Sequence, residues 1–167
     1  MALIKKLNGI SPELGKDCYI SENATIIGDV VCGDNCSFWF NCVVRGDVHS
    51  IRIGNGTNIQ DGAVIHCTYK KTPTEIGDHV TIGHNAIVHG CTIKNNVLIG
   101  MGAVILDKCI IENDAIVAAG AVVTMGTHIK SGEIYAGTPA KKLKNIPANV
   151  DLKKLATGYI DYTNWYK

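Results

Sequence analysis

The large apolar residues of this chain return every six positions. Between Ile59 and Val88 they fall at Ile59, Ile65, Ile76, Ile82 and Val88, and only the segment Cys67–Glu75 breaks the spacing, adding five residues between Ile65 and Ile76. The same position runs back through Ile53, Val44, Phe38, Cys32, Ile26 and Ile20, and forward through Ile93, Ile99, Ile105, Ile111, Val117 and Val123. Four residues after most of these stands a small or β-branched one, among them Ala24, Cys36, Cys42, Ala63, Val80, Ala86, Ala103, Cys109 and Ala121. Gly-Asp and Gly-Asn pairs (Gly28-Asp29, Gly33-Asp34, Gly54-Asn55, Gly77-Asp78) recur as corners, where Gly and Asn accept dihedrals that other residues avoid. A period of six suits short strands joined by tight bends, three to a triangular coil, with the coils stacked into a parallel β-helix. An amphipathic helix cannot generate this period, and the alternating strands of a β-sandwich would show a period of two.

The repeat ends near Met125, and a segment rich in turn residues follows it. Beyond that, Leu152, Leu155, Ala156, Tyr159 and Ile160 fall at i, i+3, i+4, i+7 and i+8, which predicts a short amphipathic helix packed along a coil. The expectation is one domain over 1–167: a β-helix over about 10–130, a connector over 131–149 and a C-terminal helix over 150–166. Periodicity does not fix the hand of the coil. The rule for parallel crossovers taken alone favours right-handed winding.

The frame brings histidines together. His66 follows Ile65 and His89 follows Val88, so both occupy one face on adjacent coils, roughly 4.8 Å apart along the axis. His84, two residues after Ile82, sits on the preceding face near the corner. A metal held by His66 and His89 therefore takes its third histidine from another subunit, which a threefold axis supplies. Neutral imidazole is the commonest metal ligand, and three of them leave zinc an open position. Single histidines in such a chain are usually structural, and His49, His79 and His128 are read that way. Trp39 and Phe40 point outward on the face of His84, a patch expected to be covered by a partner unless the frame is shifted by one.

Composition removes other functions. The 16 basic and 15 acidic residues leave a net charge of +1, no footprint for nucleic acid or an acidic membrane. No apolar run approaches membrane-spanning length, and MALIKKLNGISPEL lacks the apolar core of a secretory signal, so a cytoplasmic protein is expected. The seven cysteines are odd in number and include no C-x-x-C pair. With Cys32, Cys36, Cys42 and Cys109 at repeat positions, they read as reduced core thiols.

The I-G-x-x-small-x pattern resembles the hexapeptide-repeat superfamily, which implies a left-handed β-helix and trimers. Four motifs narrow the likeness: Arg45-Gly46-Asp47, Asn58-Ile59-Gln60-Asp61, His66, and Gly83-His84 followed by His89. Over about residues 10 to 140 the chain resembles the γ-class carbonic anhydrase-like family, which includes ferripyochelin-binding proteins. The resemblance implies that His66 and His89 of one chain and His84 of the next hold zinc. It implies that Arg45 and Asp47 pair across the subunit boundary, and that Gln60 and Asp61 form the polar surround. The implied activity is reversible hydration of CO2 to bicarbonate by hydroxide on the metal, with Gln60 orienting hydroxide or substrate and Asp61 fixing a neighbouring partner. A three-histidine site also accepts iron(II), cobalt or nickel.

The chain departs from that family at two places. Glutamates assigned to proton transfer in the founding enzyme type are replaced by Val48 and by the short basic loop Cys67–Glu75. Slow or absent turnover is the expected consequence. Two other functions share the frame: an acyltransferase holding coenzyme A near Gly137-Thr138-Pro139-Ala140-Lys141, and a metal-dependent binding or assembly protein without turnover.

Overall fold

A computed structural model describes residues 1–166. The chain winds as a parallel β-solenoid of about seven turns with one short C-terminal helix. Three columns of strands carry the repeat. Ile26, Val44, Ile65, Val88, Ile105 and Val123 are successive partners on the first face. Cys32, Ile53, Ile76, Ile93, Ile111 and Ile129 line up on the second. The third face stacks Ile20, Phe38, Ile59, Ile82, Ile99, Val117 and Tyr135. The first two faces are continuous at the base because strands Thr25–Cys32 and Val43–Ile53 run through the corner, with a register shift between Gly28 and Val30.

The inward Ile and Val of each column, apart from the half-buried Ile20 at the base, are buried to within a few per cent and form one unbroken core along the axis. Fully burying such a side chain is worth about 1.5–3 kcal/mol. The small residues between columns are equally buried, because two faces meet at each corner and leave little room there.

The corner between the second and third faces is held by a side-chain ladder. Asp34, Asn55, Asp78, Asn95 and Asn113 each accept a hydrogen bond from a backbone N–H one coil below, at 2.6–2.9 Å. These bonds satisfy amides that the bend removes from the strand ladder. This is the physical role of the Gly33-Asp34, Gly54-Asn55 and Gly77-Asp78 pairs.

Within 131–149, read from the sequence as a connector, Glu133–Ala136 continues the third face in parallel with Ile116–Val117. Lys141–Asn145 then returns antiparallel to it, which closes the exposed end of that sheet. The helix spans Leu152–Thr163, with Asp151 as N-cap accepting from the Lys154 amide, and a 3-10 turn covers Asn164–Tyr166. Leu152, Ala156 and Thr163 are buried, whereas Leu155 stays exposed.

The helix lies on its own coil and corrects one expectation. Trp39 is 7 % exposed without any partner chain. Its ring meets Tyr159 edge-on at 5.7 Å and Tyr166 at 5.5 Å, and Tyr19 lies 5.1 Å away on the coil. The outward aromatic patch is thus covered from within the chain and is not evidence for a subunit interface.

Candidate metal centre

His66 and His89 occupy paired positions on adjacent strands of the first face, as Val64–His66 and Ile87–His89 align residue for residue. Their facing nitrogens, Nδ1 of His66 and Nε2 of His89, are 3.2 Å apart. The other nitrogen of each ring meets a carboxylate: His66 Nε2 lies 2.9 Å from Asp47 Oδ1, and His89 Nδ1 lies 3.0 Å from Asp107 Oδ2. An ionised carboxylate only accepts, so both outer nitrogens carry the proton. With both rings neutral in these tautomers, the two inner nitrogens face each other as lone pairs. Two neutral acceptors at that distance repel, and a cation between them removes the conflict. Ligands about 2.0–2.1 Å from a tetrahedral zinc stand roughly 3.3 Å apart, so the observed spacing fits two ligands of one ion.

The carboxylates are themselves fixed. Arg45 pairs with Asp47 inside the chain. Burial raises the Asp47 pKa, but hydrogen bonds from His66 and Arg45 outweigh it and leave the carboxyl below its ordinary value. Asp107 accepts from the hydroxyls of Thr68 and Thr72, the latter at 2.6 Å. Burial again opposes, yet Thr68, Thr72 and His89 together bring Asp107 down to about 2. It is ionised throughout the neutral range and so accepts the His89 proton.

The loop Cys67–Glu75 is therefore a clamp. Thr68 bridges to Thr72, and the Lys70 amide donates to the Val48 carbonyl at 3.3 Å. The Thr74 hydroxyl donates to the His66 carbonyl at 2.5 Å and accepts from the Gly90 amide at 2.9 Å, tying the two histidine strands together. Gly90, at φ +55°, is required here: a Cβ would collide with both Asp107 and Thr72.

His84 stands at the corner with Asn85, its Nδ1 2.7 Å from Asp61 Oδ2. It repeats the same carboxylate–imidazole arrangement and keeps Nε2 available. Among the described residues of one chain it does not join the other two: the only set of three or more such ligand atoms within 4.8 Å of one another is Cys18, Cys32 and Cys36. Beside His84 is a cavity of about 180 Å³ bounded by Asp61, Trp39, Phe40 and helix aromatics. Gln60 is buried, its Nε2 donating to Asn58 Oδ1 at 3.1 Å while Asn58 donates to Thr81 Oγ1 at 3.0 Å. Burial raises the pKa of Tyr159, with the charges of Tyr162 and Asp61 adding to it.

The histidines set aside as structural have separate surroundings. His128 pairs with Glu112 at 2.7 Å, and His49 accepts from the Ser50 amide at 2.8 Å. His79 turns a corner at φ +53°. Asp107, Thr68 and Thr72 are the site residues that sequence reasoning missed. The available signal was position: Asp107 lies two residues beyond Ile105, the coil neighbour of Val88.

A stacked coil of this kind with paired histidines defines the hexapeptide-repeat class. The family model described as bacterial transferase hexapeptide (six repeats) matches residues 73–105 and 90–124. Gamma carbonic anhydrase 2, mitochondrial, of Arabidopsis thaliana is 43% identical over 158 residues, 90% of this chain and 57% of its own length. The chain thus spans little more than half of that relative. The protein named carbonic anhydrase of Geobacillus kaustophilus is 36% identical over 99% of this chain and 91% of its own. A solved hexapeptide transferase family protein from Anaplasma phagocytophilum superposes with a TM-score of 0.94 at 42% identity, covering 99% of this chain and 98% of that one. The chain belongs to the γ-class carbonic anhydrase-like family of hexapeptide-repeat proteins. No helix among the described residues is long and apolar enough to cross a membrane.

Proposed function

We propose that this protein is a zinc-dependent carbonic anhydrase that works as a homotrimer in the cytoplasm. The observation that carries the reading is the pair of facing nitrogens of His66 and His89, 3.2 Å apart, each ring anchored through its other nitrogen to a carboxylate. His84 of a neighbouring chain completes the ligand set, since it stands apart within its own chain and has the same carboxylate support. Three neutral histidines leave a bound zinc its full charge, and zinc in such a site lets water lose a proton near neutral pH and polarises oxygen.

The chain's own residues do the rest. Asp47, Asp107 and Asp61 hold the three imidazoles in the tautomers that present lone pairs. Arg45 keeps Asp47 ionised and in place. Asn58 takes one amide proton of Gln60, which fixes the Gln60 side chain so that its polar end can orient CO2 or the attacking oxygen. Val48 and the Thr-rich clamp replace titratable groups near the site, so the released proton leaves through buffer rather than through a side chain. Seven free thiols suit a reducing compartment.

The acyltransferase reading rests on the turn around Gly137–Lys141 and on the shared coil, and neither uses the three carboxylate-anchored histidines. Metal analysis of purified trimer followed by stopped-flow CO2 hydration tests the proposal. Stoichiometric metal with buffer-dependent hydration supports it. Metal without hydration at any buffer concentration leaves a binding protein, and no metal refutes both.

A further inference from the structure

At the base of the coil three neighbouring repeat positions carry thiols. The second face carries Ile at every inward position from Ile53 to Ile129, but Cys at position 32. At the next corner, Cys36 sits one coil below Thr57 and one above Cys18, where upper coils place Val80, Val97 and Ala115. These sulfurs converge: Cys18 Sγ is 3.9 Å from Cys32 Sγ, and all three lie within 4.8 Å of one another. Cys32 and Cys36 are buried, whereas Cys18 is half-exposed, so the cluster is open on one side.

We propose that Cys18, Cys32 and Cys36 form a second metal site, separate from the histidines, that takes a thiophilic d10 cation such as Cu(I) or Zn(II). Sulfurs about 2.3 Å from a common ion stand roughly 4.0 Å apart in a trigonal plane and 3.8 Å apart on a tetrahedral face, and the 3.9 Å separation lies between them. Soft thiolates select these ions over harder ones. The Gly33 carbonyl oxygen, 3.4 Å from Cys18 Sγ, offers a weak axial ligand, and the open side admits the ion or a water.

Cys36 turns its S–H to the Gly54 carbonyl at 3.0 Å. Cation binding forms metal–sulfur bonds and releases the S–H protons to solvent. The bend supporting the ligands is rigid, because Asp34 accepts the Lys16 amide at 2.8 Å while its own amide donates to Asn55 at 2.9 Å.

The test uses the full-length His84→Ala protein, reduced and anaerobic, so that the histidine site contributes nothing. Cu(I) is delivered from a chromophoric chelator and Zn(II) is titrated separately. The expected result is one equivalent per chain with sulfur-to-metal charge-transfer absorption, and protection of Cys18 from alkylation. Cys18→Ser and Cys36→Ser should lose that equivalent, whereas Cys109→Ala, a thiol outside the cluster, should keep it. Because Cys18 is half-exposed, Cys18→Ser should stay folded, and circular dichroism verifies this. Equal uptake by the wild-type and Cys18→Ser cluster, or no uptake of either ion, overturns the proposal. So does a mass lower by two hydrogens from a Cys18–Cys32 disulfide that, once reduced, still takes no metal. Absence of CO2 hydration in the metal-loaded wild-type protein, with cluster binding intact, would refute the enzyme reading alone.

Discussion

Asp107 Oδ2 sits 3.0 Å from His89 Nδ1, and its other oxygen is held by two threonines of a loop that belongs to the coil below. His89 is therefore aimed by the turn above it and the loop beneath it together. Removing such a partner typically costs 10–100-fold in metal affinity. Asp107→Asn should weaken zinc by about that factor, with Thr68→Val plus Thr72→Val giving a smaller loss, as read by chelator competition. Gly90→Ala, which drives a methyl group into the same clamp, should resemble Asp107→Asn although the atoms the methyl meets belong to Asp107 and Thr72 rather than to an imidazole.

The same carboxylate gives an acid limit. Asp107 falls from an ordinary 3.8 to about 2 in the folded chain, so it binds fewer protons folded than unfolded at intermediate pH. Its contribution to stability is full above pH 3.8 and is lost as pH falls toward about 2. Asp47, also lowered, acts in the same direction. Metal-free protein titrated from pH 5 downward should lose stability more steeply than Asp107→Asn, measured by urea denaturation.

Much of this could be read from the chain. The six-residue period placed Ile20 through Val123 on the faces where the structure shows them, because inward positions of a coil are shut off from water and take apolar side chains. His66 and His89 followed from the same count. Asp107 did not, since one Asp at an outward position looks like any solvated residue until the loop Cys67–Glu75 folds against it. Trp39 was placed outward correctly, but its cover comes from Tyr159 and Tyr166, over a hundred residues away in sequence, and no local pattern encodes that packing. The thiol cluster was hidden for a related reason: Cys32 and Cys36 fit the repeat as small apolar residues, and only stacking brings Cys18 beneath them.

If the ligand set is shared between chains, metal binding and association are linked. His84→Ala should lose the histidine-site metal while its β circular dichroism is retained, because the side chain lies outside the apolar core. Chelation of the wild-type protein should loosen the trimer in sedimentation. A stable monomer that keeps full metal at the histidine site would defeat the shared-site assignment.

Turnover should be limited by the proton rather than by the attack on CO2. Each hydration releases one proton, and the group that takes it works best with a pKa near the operating pH. Around His66 and His89 the carboxylates are committed to holding imidazoles, and Asp107 at about 2 is far too acidic to take up a proton near neutrality. Val48 packs against the core, and the loop beside it contributes Thr68 and Thr72 to the clamp. Imidazole buffer supplies the missing carrier, so the hydration rate should rise with its concentration and then saturate. Val48→Glu should raise the rate at low buffer and leave the saturated rate nearly unchanged, since it adds a carrier without altering the ligands. Stopped-flow hydration across a buffer series distinguishes the two regimes: a rate independent of buffer in the wild type would place the limiting step in the chemistry at the metal and contradict the assignment of Val48.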